Sequence, residues 1–295
     1  MSVAESLDRR PAAAAPAPFK VERVTGSLGV EVSGIDLSQT FSDEVVAALS
    51  DALVRHKVLF FRDQPITLDQ HVAFGRRFGP LEVHPFADTK AFINEGGYPE
   101  VLVIESTADK PIAADEWHSD VSFRQEPSLG SILRCRVTPE VGGDTLWADM
   151  AAAYEGLDDA TRAHISGLTA IHDWEIFRAP MRKRASEARI AELNARFPPA
   201  EHPVVRTHPV SGDKIVYVNR NFTVGIKGMK ETESRALLER LYALARVPDY
   251  QVRFRWRVDS IAFWDNRSTQ HYATKDFFPA HRRMERVTVA GDRPF

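Results

Sequence analysis

Between residues 43 and 54 the apolar side chains Val45, Val46, Leu49, Leu53 and Val54 recur three and four positions apart, with polar residues between them. That period predicts an amphipathic helix. Ser42 stands before it as a candidate N-cap, and Asp43 and Glu44 fill the first turn, where the helix dipole favours acids. Upstream, Leu28–Leu37 carries Val30 and Val32 in a strand-like run that ends in a turn at Ser33-Gly34. Downstream, Val58–Gln64 opens on four apolar residues in a row and reads as a buried strand. Thr67 and Gln70 are spaced as a capping box for a helix carrying His71, Phe74 and Phe78.

After residue 100 the runs become short and β-rich, separated by glycine and proline: 100–105, 130–137, 144–150, 214–219, 252–258, 261–264 and 286–291. Many short, non-repeating strands predict a β-sandwich or jelly roll. Helical inserts interrupt it over 186–197 and 231–247, the second with Leu237, Leu238, Leu241 and Leu244 on one face. The chain is thus mainly β with helical inserts, without alternating βαβ units. No internal repeat or Gly/Ser linker divides it, so one domain is expected over residues 20–295. Residues 1–19, broken by Pro11, Pro16 and Pro18, read as a flexible tail and not as a signal peptide.

Composition changes this picture little. The 295 residues carry a formal net charge of −3, which gives no electrostatic reason to expect nucleic acid or an anionic membrane surface as partner. No apolar run approaches the roughly 18 residues of a membrane span. Cys135 is the one cysteine, so neither an intrachain disulfide nor a cysteine-rich zinc site can form. A reducing, cytoplasmic setting is expected.

The chemistry begins at Glu116–Phe123, "EWHSDVSF". In an extended segment residues i and i+2 point to one side, so His118 and Asp120 can offer an imidazole and a carboxylate to one ion. A further histidine would complete the two-histidine, one-carboxylate facial set that holds Fe(II) and leaves positions open. With ten histidines in the chain, the pair alone discriminates little from a chance coincidence. Most other histidines sit in helical patterns (His56, His71, His164), before prolines in an expected loop (His202, His208), in an apolar run (His172) or among arginines (His281). His84 and His271 remain as candidates for the third ligand. Beyond His271, Arg282 and Arg286 lie on one face of a predicted strand with Met284 and Thr288. They either point into a pocket, where guanidiniums bind carboxylate-like anions through charge-assisted hydrogen bonds, or form a solvated basic face.

Five ordered blocks carry a more specific signal: "WHSDVSF", "GGDTLW" (142–147), "HPVVRTHPVSG" (202–212), "WDNRSTQHYA" (264–273) and "HRRMERVT" (281–288). Together they resemble the taurine dioxygenase family of Fe(II)- and 2-oxoglutarate-dependent dioxygenases, over nearly the whole chain from about residue 20. The resemblance implies a double-stranded β-helix, that is, a jelly roll. It places the iron ligands on His118, Asp120 and His271. It places 2-oxoglutarate on Arg282, eleven positions after the last ligand, and on Thr145. It assigns the anionic head of the substrate to Arg286, to His84 and to the backbone amide of Val121, with Phe222 as a pocket wall.

The family resemblance also implies the activity: O2 and 2-oxoglutarate are consumed, a small anionic organic substrate is hydroxylated, and succinate and CO2 are released. Where the hydroxylated carbon bears a sulfonate, sulfate ester or aryl ether, the product collapses to a carbonyl compound with release of sulfite, sulfate or a phenol. Two positions depart from the taurine-specific pattern. Ala87 stands where those enzymes have tyrosine, and Ala114 where they have asparagine. Losing two polar contacts enlarges the pocket and removes discrimination for the small amino-sulfonate. An alkylsulfonate, alkyl sulfate or aryloxyalkanoate is therefore expected in place of taurine, with taurine dioxygenase proper as the alternative. A zinc-dependent hydrolase or a metal-free jelly-roll binding protein would be alternatives of another class. Family members are commonly homo-oligomers, so a dimer or tetramer is expected.

Overall fold

A computed structural model of the protein describes residues 18–86, 97–110, 116–183 and 185–295. All but the last two positions of the expected tail, and both Ala87 and Ala114, lie outside the described residues. The strands in chain order are β1 (Lys20–Arg23), β2 (Val30–Ser33), β3 (Val58–Phe61), β4 (Leu102–Ser106), β5 (Gly130–Val137), β6 (Thr145–Asp149), β7 (Thr169–His172), β8 (Ala200–Pro203), β9 (Val205–Thr207), β10 (Lys214–Val216), β11 (Thr223–Ile226), β12 (Gln251–Phe254), β13 (Ile261–Asp265), β14 (Thr269–Ala273) and β15 (Arg282–Val289). The α-helices are α1 (Asp43–His56), α2 (Leu68–Arg76), α3 (Met150–Glu155), α4 (Asp159–Ile165), α5 (Glu175–Met181), α6 (Glu187–Arg196) and α7 (Glu231–Ala243).

Seven strands form the larger sheet in the order β1-β2-β3-β13-β5-β15-β4, and β12-β6-β14 form a smaller one. The period-2 alternation of each strand decides which side chains meet. Phe60, Leu133, Trp264 and Met284 of the larger sheet pack against Trp147, Val252 and Phe254 of the smaller one. Their neighbours Leu59, Ile132, Phe263 and Val287 face the other way, onto Leu49 and Leu53 of α1 and Val72 and Phe74 of α2. The helical period read from the sequence is thus the face that covers the sheet. Burying each such side chain contributes about 1.5–3 kcal/mol. Truncating Trp264 to alanine would open a cavity between the sheets at a cost of about 3–5 kcal/mol.

Most predicted elements are present, and several differ in detail: the strand expected over 214–219 stops at Val216, the one over 286–291 spans Arg282–Val289, and α2 ends at Arg76, short of Phe78. Thr67 and Gln70 make the reciprocal capping box at α2. Ser42 occupies the N-cap of α1, but its side chain makes no capping hydrogen bond. The strand expected over 252–258 stops at Phe254, because the carbonyl of Arg255 accepts from Arg62 and the amide of Ser260 turns back onto the carbonyl of Arg257. The helix expected to reach 247 ends at Ala243 and tightens into a 3-10 turn, Leu244–Arg246.

This framework sets the positions of the candidate residues. Thr145 and His271 lie on paired strands of the smaller sheet, with Thr145 opposite Ala273 and His271 opposite Trp147. Arg282 and Arg286 lie on β15, on the same face as Met284, which points between the sheets. That orientation corrects the solvated-face alternative, since both arginines are buried.

Candidate metal centre

His118 lies outside the named strands but is tied to β14 by an isolated antiparallel bridge to His271. The amide of His118 donates to the carbonyl of His271 at 3.1 Å, and the amide of His271 donates back at 2.8 Å. Trp117 anchors the segment by stacking on Tyr272 at 5.8 Å between ring centroids. The bridge holds the two imidazoles side by side, with centroids 4.2 Å apart. Asp120, two residues on, turns to the same side. One ligand atom from each of His118, Asp120 and His271 lies within 4.8 Å of the others.

The donor set fits a divalent ion. His118 Nδ1 is 2.7 Å from the carbonyl of Glu116. A carbonyl can only accept, so Nδ1 carries a proton, which leaves Nε2 as the nitrogen on offer to a metal. Nε2 lies 4.0 Å from Asp120 Oδ1. Burial, and then the neighbouring His118, push the His271 imidazole down to about 3, which keeps it neutral and able to ligate. His271 Nδ1 is buried with no hydrogen-bond partner among the described residues.

Asp120 is buried, and burial alone would raise its carboxyl. Arg286, followed by His271 and His118, outweighs this and holds the group well below the usual carboxylate range. Arg286 Nη1 donates to Oδ1 at 2.7 Å, and Ser131 Oγ donates to Oδ2 at 3.0 Å. Its backbone is held as tightly: the Asp120 amide donates to Asn266 Oδ1 at 2.6 Å, and Asn266 Nδ2 donates to the Asp120 carbonyl at 3.0 Å.

A second group lies at the start of β6 and β15. Arg282 Nε donates to the carbonyl of Gly143 at 3.0 Å, and its Nη2 is 3.5 Å from Thr145 Oγ1. Trp256 Nε1 also donates to Thr145 Oγ1, at 2.9 Å. Gly143 permits the approach of Arg282: its φ is +72°, and a Cβ there would stand 3.2 Å from Arg282 Cδ.

His84, Asp120, Val121 and Arg286 line one cavity, together with Glu82 and Glu100. Burial, and then Arg286, push the His84 imidazole down to about 3, so it is neutral at physiological pH. The amide of Phe86 donates to His84 Nδ1 at 3.3 Å, which leaves the ring proton on Nε2. Val121 has φ +45°, a left-handed conformation that a β-branched residue rarely adopts. Phe222 meets the His118 ring edge-on at 6.1 Å and belongs to a buried aromatic cluster with Phe86, Phe123, Trp174 and Phe197.

The structure thus brings the nine candidate residues into two neighbouring groups. It also separates the two histidines left open by residue type: His271 joins the cluster, and His84 lines the cavity beside Arg286. His71, His172, His202, His208 and His281 have other partners. His208 pairs with Asp265 at 3.0 Å, and His202 lies on β8, not in a loop, where its Nε2 contacts the carbonyls of Ser122 and Arg124. Asn266, Ser131 and Trp256 escaped the sequence reading. Asn266 lies inside the quoted "WDNRSTQHYA" block, whose order was the one available signal.

Comparison with known proteins identifies the family. Residues 20–288 match the family described as Taurine catabolism dioxygenase TauD, TfdA family. The chain belongs to that family and is, with it, a 2-oxoglutarate-dependent dioxygenase, which removes the hydrolase and binding-protein alternatives. It is 36% identical over 292 residues to an alpha-ketoglutarate-dependent sulfate ester dioxygenase of Pseudomonas putida, covering 96% of this chain and 94% of that protein. It is also similar to the crystal structure of a taurine dioxygenase from Burkholderia xenovorans, with a TM-score of 0.78 and 36% identity, covering 94% of this chain and 90% of the other. A structure of AAD-2 in complex with Mn(II) and N-oxalylglycine matches with the same TM-score of 0.78 at 30% identity, covering 94% and 98%. Among the described residues, no helix is long and apolar enough to cross a membrane.

Proposed function

We propose that His118, Asp120 and His271 hold Fe(II), and that the enzyme uses 2-oxoglutarate and O2 to hydroxylate a small organic anion, a sulfate ester first among alkyl sulfates, alkylsulfonates and aryloxyalkanoates. The observation that carries this reading is the convergence of two imidazoles and a carboxylate within 4.8 Å, with Arg286 directly on the carboxylate. When bound, Fe(II) with 2-oxoglutarate and O2 supplies the oxidant that hydroxylates a C–H bond, while 2-oxoglutarate is split to succinate and CO2. The resemblance to the sulfate ester dioxygenase and to the Mn(II)–N-oxalylglycine complex supports the choice of metal, cosubstrate and substrate class.

The chain's own residues do the positioning. Arg282 and the Thr145 hydroxyl receive the distal carboxylate of 2-oxoglutarate. Thr145 Oγ1 already accepts from Trp256, so its own proton is available to an anion. Arg286 receives the substrate's anionic head. Its Nη1 is engaged with Asp120, but its Nε is buried with no partner among the described residues, which leaves a donor for a second anion. The Nε2–H of neutral His84 and the amide of Val121 add donors without adding charge. Phe222 and its aromatic neighbours wall the site and exclude water. Because the anion is fixed, the carbon beside it is the one presented for reaction. Hydroxylation of the carbon bearing a sulfate ester oxygen gives a product whose C–O bond breaks, releasing an aldehyde, sulfate and a proton.

We further propose that the two packed sheets form a jelly roll within one domain over residues 20–295, and that the protein works in the cytoplasm as a dimer or tetramer, which sedimentation would test. The functional test is a panel of alkyl sulfates, alkylsulfonates, taurine and aryloxyalkanoates, scored by substrate-dependent succinate formation with Fe(II). Turnover confined to taurine would overturn the substrate class; turnover with zinc and none with iron would overturn the metal.

A further inference from the structure

The side chain of Asn266 does for Asp120 what a neighbouring strand would otherwise do. The His118–His271 bridge is an antiparallel pair, and continuing its register would set Asp120 opposite Thr269. That pairing is not made: the Thr269 carbonyl accepts from Ser119 Oγ at 2.8 Å. Instead Asn266 reaches in with a carboxamide, which has the donor and acceptor of a peptide group. Its Oδ1 accepts from the Asp120 amide at 2.6 Å, and its Nδ2 donates to the Asp120 carbonyl at 3.0 Å and to the Ser128 carbonyl at 3.1 Å. Its own amide donates to the Leu129 carbonyl at 2.9 Å. Both residues are buried, so no water competes for these groups.

The clamp sits where the backbone needs one. Directly after Asp120 the chain turns through Val121 at φ +45° and closes with the Arg124 amide on the Val121 carbonyl at 2.9 Å. A left-handed valine persists only where the surroundings over-determine it. Asn266 fixes both polar backbone groups of the preceding residue and so fixes the point from which that turn departs. It is fixed in its turn: Asp265 beside it takes three hydrogen bonds from Arg267, two from the guanidinium and one from the backbone amide, and one contact from His208, all buried.

We propose that Asn266 is a positioning residue for the metal site: by gripping the Asp120 main chain it aims the carboxylate at the position shared with His118 and His271. This rests on the assignment of those three residues as metal ligands. The grip needs a donor and an acceptor on one short side chain. Alanine removes it, and aspartate keeps the acceptor for the Asp120 amide but sets a second oxygen against two carbonyls.

The test is Mn(II) titration of the metal-free full-length protein by calorimetry, without substrate. Asn266→Ala is expected to weaken Mn(II) binding by about 10–100-fold, the range found when residues supporting metal ligands are removed. Asn266→Asp separates geometry from charge. Added negative charge near the site would tighten cation binding, whereas loss of the grip weakens it, and weakening is expected. Because either change can loosen the fold, Ser234→Ala serves as control: it removes a buried hydrogen bond, from the Ile226 amide at 2.9 Å, that involves none of the candidate ligands. It is expected to lower the melting temperature while keeping the wild-type Mn(II) affinity. Wild-type affinity in Asn266→Ala, tighter binding in Asn266→Asp, or an equal loss in Ser234→Ala would each overturn the proposal while leaving the ligand assignment standing. Failure of the wild type to bind Mn(II), or undiminished binding by Asp120→Ala, would overturn the ligand assignment itself.

Discussion

The guanidinium of Arg286 and the carboxylate of Asp120 form a buried ion pair, Nη1 to Oδ1 at 2.7 Å, and Oδ1 is the same oxygen that lies 4.0 Å from His118 Nε2. One arginine therefore balances the charge of a candidate metal ligand and faces the cavity proposed for the substrate anion. Removing it strands a buried carboxylate, which in metal-free protein costs about 3–5 kcal/mol. A bound divalent ion supplies positive charge to the same group. Arg286→Ala is thus expected to melt well below the wild type without metal, and the gap to narrow when Mn(II) is added. Scanning calorimetry with and without Mn(II) measures both; a gap that metal leaves unchanged would contradict the shared role.

The two arginines of β15 are expected to separate kinetically. Arg282 contacts Gly143 and Thr145 and none of the candidate metal ligands in the hydrogen bonds described. A hydrogen bond to a charged group contributes about 1.5–3 kcal/mol, or roughly 10–100-fold in binding. Arg282→Ala should raise the KM for 2-oxoglutarate by that order and the KM for the organic anion little. Arg286→Ala should do the reverse. Equal damage to both constants in both variants would show that the division is wrong.

Trp256 extends this argument one residue outward. Its indole N–H occupies an acceptor position of the Thr145 hydroxyl at 2.9 Å. Trp256→Phe keeps an aromatic ring between the sheets but removes the donor that orients the Thr145 hydroxyl. A several-fold rise in the KM for 2-oxoglutarate is expected, at unchanged substrate KM. Steady-state kinetics with each substrate varied in turn decides it; an unchanged 2-oxoglutarate KM would make the contact purely structural.

Local period and turn chemistry carried much of the fold. The helix from 43 and its neighbour from 68 were readable because Leu49, Leu53, Val72 and Phe74 bury one face each. The end of β12 at Phe254 was not, because it depends on partners distant in the chain: Arg62 reaches the Arg255 carbonyl and Ser260 Oγ, and Thr145 draws in the Trp256 indole. The site divides in the same way. The spacing of His118 and Asp120 only suggests a site, and the ordered blocks supply it, with Thr145, His271, Arg282 and Arg286, through family resemblance. No such signal marks the side chains that hold them. Asn266 grips Asp120 across 146 positions, and Trp256 reaches Thr145 across 111, pairings that no spacing rule encodes. Residue type alone could not choose between His84 and His271. The backbone bridge from His118 sets the His271 ring beside it, and that bridge exists only in the folded chain.

Ligand removal gives the sharpest contrast. Asp120→Ala deletes the one carboxylate of the set and leaves Arg286 without its partner. It is expected to lose measurable Mn(II) binding and all substrate-dependent succinate formation. Asp120→Asn keeps the shape but offers a neutral oxygen, and should retain the fold while binding the ion far more weakly. Calorimetry on both variants beside the wild type checks this, and wild-type affinity in either would remove Asp120 from the ligand set.

Acid should destabilise the protein from near neutrality, because several buried histidines are held neutral. Burial pushes His71 and His202 down to about 4, and His172 well below its ordinary value. In the unfolded chain each titrates near pH 6.5. Above that pH neither state carries the proton, and stability is at its full value. Below it the unfolded chain takes up protons that the native state refuses, so stability falls as pH drops from about 6.5 towards the folded values near 4. Each such histidine contributes a slope of up to about 1.4 kcal/mol per pH unit. Urea unfolding at pH 7 and pH 5 should therefore show a marked loss at the lower pH. His71 is the cleanest probe, since its Nε2 meets only the Ile132 carbonyl, at 3.1 Å, and its Nδ1 has no partner among the described residues. His71→Gln is expected to be less stable at pH 7 but to lose less between pH 7 and pH 5 than the wild type. An identical loss in both would mean that His71 is not among the groups whose burial sets the acid limb.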